Sequence, residues 1–280
     1  MIRFDAYTAT TQAINHAQAA AFLVEAGGHG QFTMKQGRGF HQFAERLAFK
    51  DDSGSEFGAV SWGGRQGEWV MLEVKGERTP EVVERLRRDV SHRCTRVDSC
   101  ADFDAPRAFD RLYRACRTVK KAHRIMGGKA GDWEDFPEKG RTLYLGAKTS
   151  ATRLRLYEKG KQPEYTHLAR ENWTRLEIQV RPEKEAKGEF SLLSAEDVWG
   201  ASRWTRELSA LVLQNHVDPH PAGSTYRKTE DEAAIEWMCR QYGQRLVSMA
   251  SDLGGWDCLG LTLGEIVREQ QRRSGGVSGS

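Results

Sequence analysis

Three segments of the chain set carboxylates, arginines and one tyrosine at alternate positions. Along an extended strand, side chains at i, i+2 and i+4 share a face. In 93–103 that rule puts Arg96, Asp98, Cys100 and Asp102 opposite Val97, Ser99, Ala101 and Phe103. In 152–158 Arg153, Arg155 and Tyr157 oppose Leu154 and Leu156. In 172–181 Trp173, Arg175, Glu177, Gln179 and Arg181 oppose Leu176, Ile178 and Val180. Each strand thus has an apolar face for a core and a charged face available for chemistry.

A half-exposed antiparallel sheet with a solvated outer face explains such alternation in general. Acidic residues are poor strand formers, however, and Asp98, Asp102 and Glu177 all stand on these faces. Carboxylates gathered on one face repel unless a cation holds them. A hard divalent ion, Mg2+ or Mn2+, takes oxygen ligands and keeps open positions for phosphate oxygens. Between Arg141 and Lys161 six basic residues meet the single acid Glu158, a balance suited to a polyanion approaching a metal. On the charged face of that hairpin Tyr157 is the one polar group able to act as an oxygen nucleophile. A phenol with a pKa of about 10 needs a nearby cation to react as phenolate at neutral pH, and Lys159 follows at i+2. Lys159 would also stabilise phosphorane-like charge. The bland alternative for Tyr157 is a strand tyrosine packing its ring on a neighbour. No His-x-His occurs, and His216 and His220 flank a Pro-broken linker, so a histidine-built metal site has little support.

The elements that position these residues read as α+β: a largely antiparallel sheet with flanking helices, followed by a helical C-terminal region. Residues 2–8 alternate as a strand, and a helical stripe over 11–25 stops at Gly27-Gly28. Three strand-like runs separated by turn residues fill 41–75. A helix opens at Thr79 as N-cap with Pro80 in its first turn, and another opens near Asp104-Ala105-Pro106, where Asp104 suits the N-cap. Residues 128–140 read as a loop, and 141–147 and 152–158 as strands. A catalytic core is expected over 1–190, a helical region over 191–273 and a disordered Gly/Ser-rich tail over 274–280. No repeat at a solenoid period is visible.

Composition narrows the setting. At 39% hydrophobic, the 280 residues contain no apolar run approaching the roughly 20 residues of a membrane span, which excludes a membrane-embedded role. The 42 basic and 39 acidic residues are too evenly balanced for bulk electrostatics to announce nucleic-acid binding, so any basic surface must be local. The opening residues lack a secretory pattern, and five cysteines without a CxxC pair suit a reduced, cytoplasmic setting.

Four ordered motifs then stand out: Thr95-Arg96-Val97-Asp98 with Asp102; Gly140 to Ser150; Arg155-Leu156-Tyr157-Glu158-Lys159-Gly160-Lys161; and Trp173 to Arg181. Together, across roughly 90–210, they resemble the replication initiation factor family, known as Rep_trans, the rolling-circle initiators of bacterial plasmids and filamentous phages. The resemblance implies a Rep nuclease-like core and metal-assisted strand transfer. It implies that Tyr157 attacks an origin phosphodiester, leaving a 5′-phosphotyrosyl adduct and a free 3′-OH that primes a host polymerase. Asp98, Asp102 and Glu177 match positions expected to hold the ion, and the paired histidines of related nucleases are missing from the family as they are here. The segment after residue 215 matches no such motif.

The reading is therefore an origin-specific nickase and strand transferase. Tyr157 is its nucleophile, Lys159 stabilises charge, and Asp98, Asp102 and Glu177 hold Mg2+ or Mn2+. Arg153, Arg155 and Arg175 bind the DNA backbone. Expected partners are single-stranded and origin duplex DNA, host helicase and polymerase by analogy, and a second subunit or duplex against the C-terminal helices. The rival is a non-catalytic DNA-binding regulator on the same fold. It explains the basic hairpin, but gains nothing from acids facing a phosphate backbone. A carboxylate-pair glycosidase explains the acids and leaves the arginines unexplained.

Overall fold

Strands with one apolar face bury it by pairing edge to edge and covering that face with helices. The computed structural model describes residues 1–27, 31–135, 139–223 and 230–275. Its strands are β1 (Ile2–Thr11), β2 (Phe32–Arg38), β3 (Glu45–Asp51), β4 (Glu56–Trp62), β5 (Val70–Lys75), β6 (Arg93–Asp104), β7 (Gly127–Gly131), β8 (Arg141–Leu145), β9 (Thr152–Glu158) and β10 (Trp173–Val180). They form one antiparallel sheet in the order β2-β3-β4-β5-β1-β6-β10-β9-β8-β7. The helices are α1 (His16–Gly27), α2 (Thr79–Asp89), α3 (Ala108–Ala122), α4 (Ala186–Phe190), α5 (Arg203–Leu213), α6 (Glu230–Asp252) and α7 (Trp256–Gly275). None of the described helices is long and apolar enough to cross a membrane.

The strand order reads alike from either side of the central β1–β6 pair. Twice over, a strand, a helix and a four-strand meander return the last strand beside the first. The registers agree with this two-fold relation. Ala6 pairs with Asp98; to one side Thr8 lies between Glu73 and Arg96, and to the other Cys100 lies between Glu177 and Arg3. The sequence hides the repeat because few identities survive. Arg3-Phe4-Asp5 returns as Arg96-Val97-Asp98, and Trp69 with Leu72-Glu73 returns as Trp173 with Leu176-Glu177.

The helices cover one face of the sheet. Leu23, Val82, Val83 and Leu86 are buried under the first repeat, and Phe109, Leu112, Cys116 and Val119 under the second. The alternation expected of β6, β9 and β10 is observed, with Leu154, Leu156, Leu176, Ile178 and Val180 inside. Two edge strands, β2 and β7, were not expected. Their side chains are almost all exposed, so neither carries the apolar alternation that marks a half-buried strand.

Two local expectations are corrected. The Thr79 hydroxyl caps no helix and donates to the Asp5 carbonyl at 3.1 Å. Asp104 accepts from Arg170 Nε at 2.8 Å, and left-handed Arg107 precedes α3 in its place.

The chain forms two compact units, Met1–Ser224 and Thr225–Ser280. The division thus falls beyond the boundary expected near 190, because 191–223 completes the second repeat. Ser99 Oγ on β6 donates to the Ala195 carbonyl at 2.6 Å and accepts from Trp199 Nε1 at 3.0 Å. Trp199 is fully buried, and a Ser202–Thr205 capping box opens α5, which packs on α3 as α2 packs on α1. The second unit is a helical hairpin in which Gly254 and Gly255 turn α6 into α7 with φ of 88° and 139°. Of the expected tail, Ser274 and Gly275 end α7, and 276–280 lie outside the described residues. Trp199→Ala should lower unfolding free energy by about 3–5 kcal/mol in chemical denaturation, the cost of emptying a large buried site. A loss below about 1 kcal/mol would return 191–223 to a separate region.

Candidate active site

Register alone brings the charged faces of β6, β10 and β9 together. Arg175 lies between Asp102 and Tyr157, Glu177 between Cys100 and Arg155, and Gln179 between Asp98 and Arg153. The Arg175 guanidinium has no exposed surface. Its Nε and Nη2 donate to the two oxygens of Asp102 at 2.7 and 2.6 Å, and its Nη1 donates to Asp5 Oδ1 at 2.5 Å. Asp5 occupies an irregularity in β1, where the register shifts between Phe4 and Ala6. Burial pushes the Asp102 carboxyl up, but the Arg175 guanidinium outweighs it and holds the group below the usual carboxylate range.

Tyr157, Glu177 and Arg155 form the next layer. Tyr157 Oη donates to Glu177 Oε2 over a long 3.4 Å, and Arg155 Nη2 donates to Glu177 at 3.0 and 3.2 Å. The Arg155 guanidinium also covers the Tyr157 ring at 4.3 Å. Burial raises the Tyr157 phenol pKa, and the Glu177 charge raises it further. Glu177 is itself raised, first by burial and then by the charges of Asp98 and Asp5, against the pull of Arg155. The Lys159 ammonium lies over the rings of Tyr165 and Trp173 at 4.5 and 4.8 Å, and burial followed by the Arg175 charge pushes it down to about 8. A buried phenol, a carboxyl able to take its proton and a lysine near neutrality therefore share one face.

These groups open onto a cleft of about 1060 Å³ that also admits Arg96, Arg153 and Tyr144. Arg153 packs over the Tyr144 ring at 4.4 Å with its Nε lacking a hydrogen-bond partner. The basic excess of 141–161 is partly neutralised inside the protein. Arg141 reaches Glu158 and Asp110, each at 3.0 Å, and Lys161 reaches Glu158 at 3.0 Å.

The three carboxylates expected to share an ion do not meet. Asp98 and Asp102 are four residues apart on β6, about 13 Å at strand spacing. Arg96 holds Asp98 at 2.9 and 2.5 Å, and Arg175 with Arg3 surrounds Asp102. Among the described residues, no three His, Cys, Asp or Glu side chains converge on one ion. The repulsion that argued for a metal is relieved by arginines: Arg96 at Asp98, Arg175 and Arg3 at Asp102, and Arg155 at Glu177. Sequence reasoning also missed Asp5, whose charge is felt at Tyr157, Lys159 and Glu177. Its signal was an Asp inside the strand-like 2–8 segment. Of the three arginines expected on DNA, Arg153 and Arg155 line the cleft, whereas Arg175 lies beneath its floor.

A family model for the replication initiation factor matches residues 93–249. The chain belongs to the replication initiation factor family. The matched span opens at β6 and takes in the whole second repeat, the half that carries Tyr157 and Glu177. Among solved structures, a rolling circle replication initiator protein from Geobacillus stearothermophilus is similar over 83% of this chain and 91% of its own, at 16% identity and a TM-score of 0.48. No curated protein matches.

Replacing Arg175 by Met should cost about 3–5 kcal/mol at neutral pH, because Asp5 and Asp102 would lose their shared counter-charge. The sign for Asp102 follows from its lowered carboxyl. Its stabilising share is present above the unfolded carboxylate pKa and is lost as pH falls through the lower folded value. The gap between wild type and variant in urea should therefore narrow in acid, and a gap independent of pH would contradict the pairing.

Proposed function

We propose that the protein is a rolling-circle replication initiator that nicks and rejoins one DNA strand through Tyr157. The observation that carries this reading is the contact of Tyr157 Oη with Glu177 in a cleft that Arg153, Arg155 and Lys159 also line, in a replication initiation factor. Glu177 takes the phenolic proton as the oxygen attacks the scissile phosphorus. The new phosphotyrosyl bond forms as the bond to the 3′ oxygen breaks, and that oxygen leaves as a hydroxyl after taking a proton from solvent. The Lys159 ammonium offsets charge on the phosphoryl and leaving oxygens. Arg153 and Arg155 hold the backbone on either side, and the reverse attack by a 3′-OH rejoins the strand.

Origin DNA, single-stranded and duplex, is the proposed substrate, with host helicase and polymerase acting downstream on the free 3′-OH and a second subunit as a proposed partner. A requirement for Mg2+ or Mn2+ belongs to this reading through the family resemblance. Because Asp98, Asp102 and Glu177 do not meet, no step above is routed through an ion. A regulator that only bound DNA would keep Arg153 and Arg155, yet would have no use for a phenol set against a carboxyl of raised pKa.

The test is nicking of a single-stranded origin oligonucleotide, measured with Mg2+ or Mn2+ supplied, across pH. Glu177→Gln should slow nicking by about 10²- to 10⁴-fold with DNA affinity retained. Wild-type activity should fall as the pH rises through about 8, where Lys159 loses its proton, and Lys159→Arg should move that fall upward. Full activity in Glu177→Gln would remove the carboxyl from proton transfer.

A further inference from the structure

The two-fold relation of the sheet maps the catalytic face onto a second cavity of about 520 Å³, walled by the first repeat and bordered by β6, Arg181 and Lys187 of the second. By register Glu73 corresponds to Glu177, and Trp69 to Trp173. Arg96 corresponds to Arg3, since Thr8 faces Arg96 as Cys100 faces Arg3. Glu73 is held by Arg46 at 3.3 Å, as Glu177 is by Arg155.

The groups that would cleave are the ones replaced. Ser61, which faces Met71, takes the place of Tyr157, which faces Arg175. It is fully buried, with its hydroxyl lacking a partner. Thr10 stands where Asp102 would be.

The turn between β2 and β3 and a basic rim from the second repeat form the rest of the cavity wall. His41 and Gln42 both take left-handed backbone, with φ of 53° and 72°, a conformation non-glycine residues seldom adopt and one that clusters at binding sites. Gln66 Nε2 donates to the His41 carbonyl at 2.8 Å and holds this turn against the cavity, which His41 and Phe43 line with Trp69. Arg93, Arg181 and Lys187 complete the rim with positive charge. Aromatic surface beside cations is the chemistry that takes an unpaired base and its phosphate. The cavity shares Arg96 with the catalytic cleft and shares Thr95, Arg181 and Lys187 with a further groove, so it lies on an open path along the sheet rather than in a closed pocket. An open path fits a segment of polymer better than a free nucleotide.

We propose that the first repeat retains a second, non-cleaving site for single-stranded DNA, the counterpart of the catalytic cleft, with Trp69 stacking a base and Arg181 and Lys187 holding phosphate. The proposal rests on the reading of the cleft as a DNA site. It is tested by counting the molecules of an origin oligonucleotide of about six nucleotides, within the span such grooves hold, bound per chain at equilibrium. The full chain carrying Tyr157→Phe is used, so that covalent chemistry does not enter the count. Two molecules per chain are expected, falling to one when Trp69→Ala is added and returning to two with Trp69→Phe. A phosphate-only variant, Arg181→Ala with Lys187→Ala, should weaken the second site at least tenfold, and free deoxynucleotide should fail to fill it. One molecule per chain both with and without Trp69→Ala would overturn the proposal, and so would two molecules unaffected by both variants. The count is independent of adduct formation at Tyr157, so loss of the nickase reading and loss of this site are separate results.

Discussion

The structure turns on one buried guanidinium. Arg175 joins Asp102 of β6 to Asp5 of β1, so a single side chain ties together three adjacent strands and both halves of the duplicated sheet. Its cost of burial is met by three short charge-assisted hydrogen bonds, the condition under which a buried ion pair is tolerated. Tyr157 is the cross-strand neighbour of Arg175, and Lys159 feels its charge, so the geometry of the site follows from this anchor.

The same logic extends across the open face. Arg96 with Asp98, Arg155 with Glu177, and Arg46 with Glu56 and Glu73 repeat the pattern of carboxylate and arginine on neighbouring positions. This arrangement lets acids stand on a sheet that would otherwise repel them. It leaves the basic groups of the cleft floor partly compensated, which favours an interface where local groups, rather than bulk charge, hold a polyanion. Glu177 is the exception in energetic terms. It is almost completely buried and keeps a raised pKa despite Arg155, a state suited to the proton transfer proposed for it.

The alternation of apolar and charged residues made β6, β9 and β10 legible, together with the face that carries Tyr157 and Glu177. Two-residue periodicity is a local property, and on these strands it separates an apolar face from a polar one even though both are largely buried. What the alternation could not supply was distance along the face. Asp98 and Asp102 point the same way yet lie too far apart for one ion, and Arg175 points with them yet is buried in its pairing with Asp102 and Asp5. Asp5 was harder to place because it sits at a strand irregularity between Phe4 and Ala6, which alternation along the strand does not predict. The duplication escaped notice for a related reason. Pairing registers preserve it, while the residues that do so are shared among few identical types. The boundary near 190 failed because a change from strand to helix composition marks the closing helices of the second repeat, not a new unit.

The central claim is that Tyr157 is the attacking group, and trapping the covalent intermediate tests it most directly. Wild type and Tyr157→Phe would be incubated with single-stranded DNA carrying the origin of the replicon, with and without Mg2+ or Mn2+, and resolved on a denaturing gel. The account predicts a protein–DNA band in wild type that is lost in Tyr157→Phe. A band that persists in the Phe variant, or DNA binding by wild type with no band on any origin substrate, would contradict it.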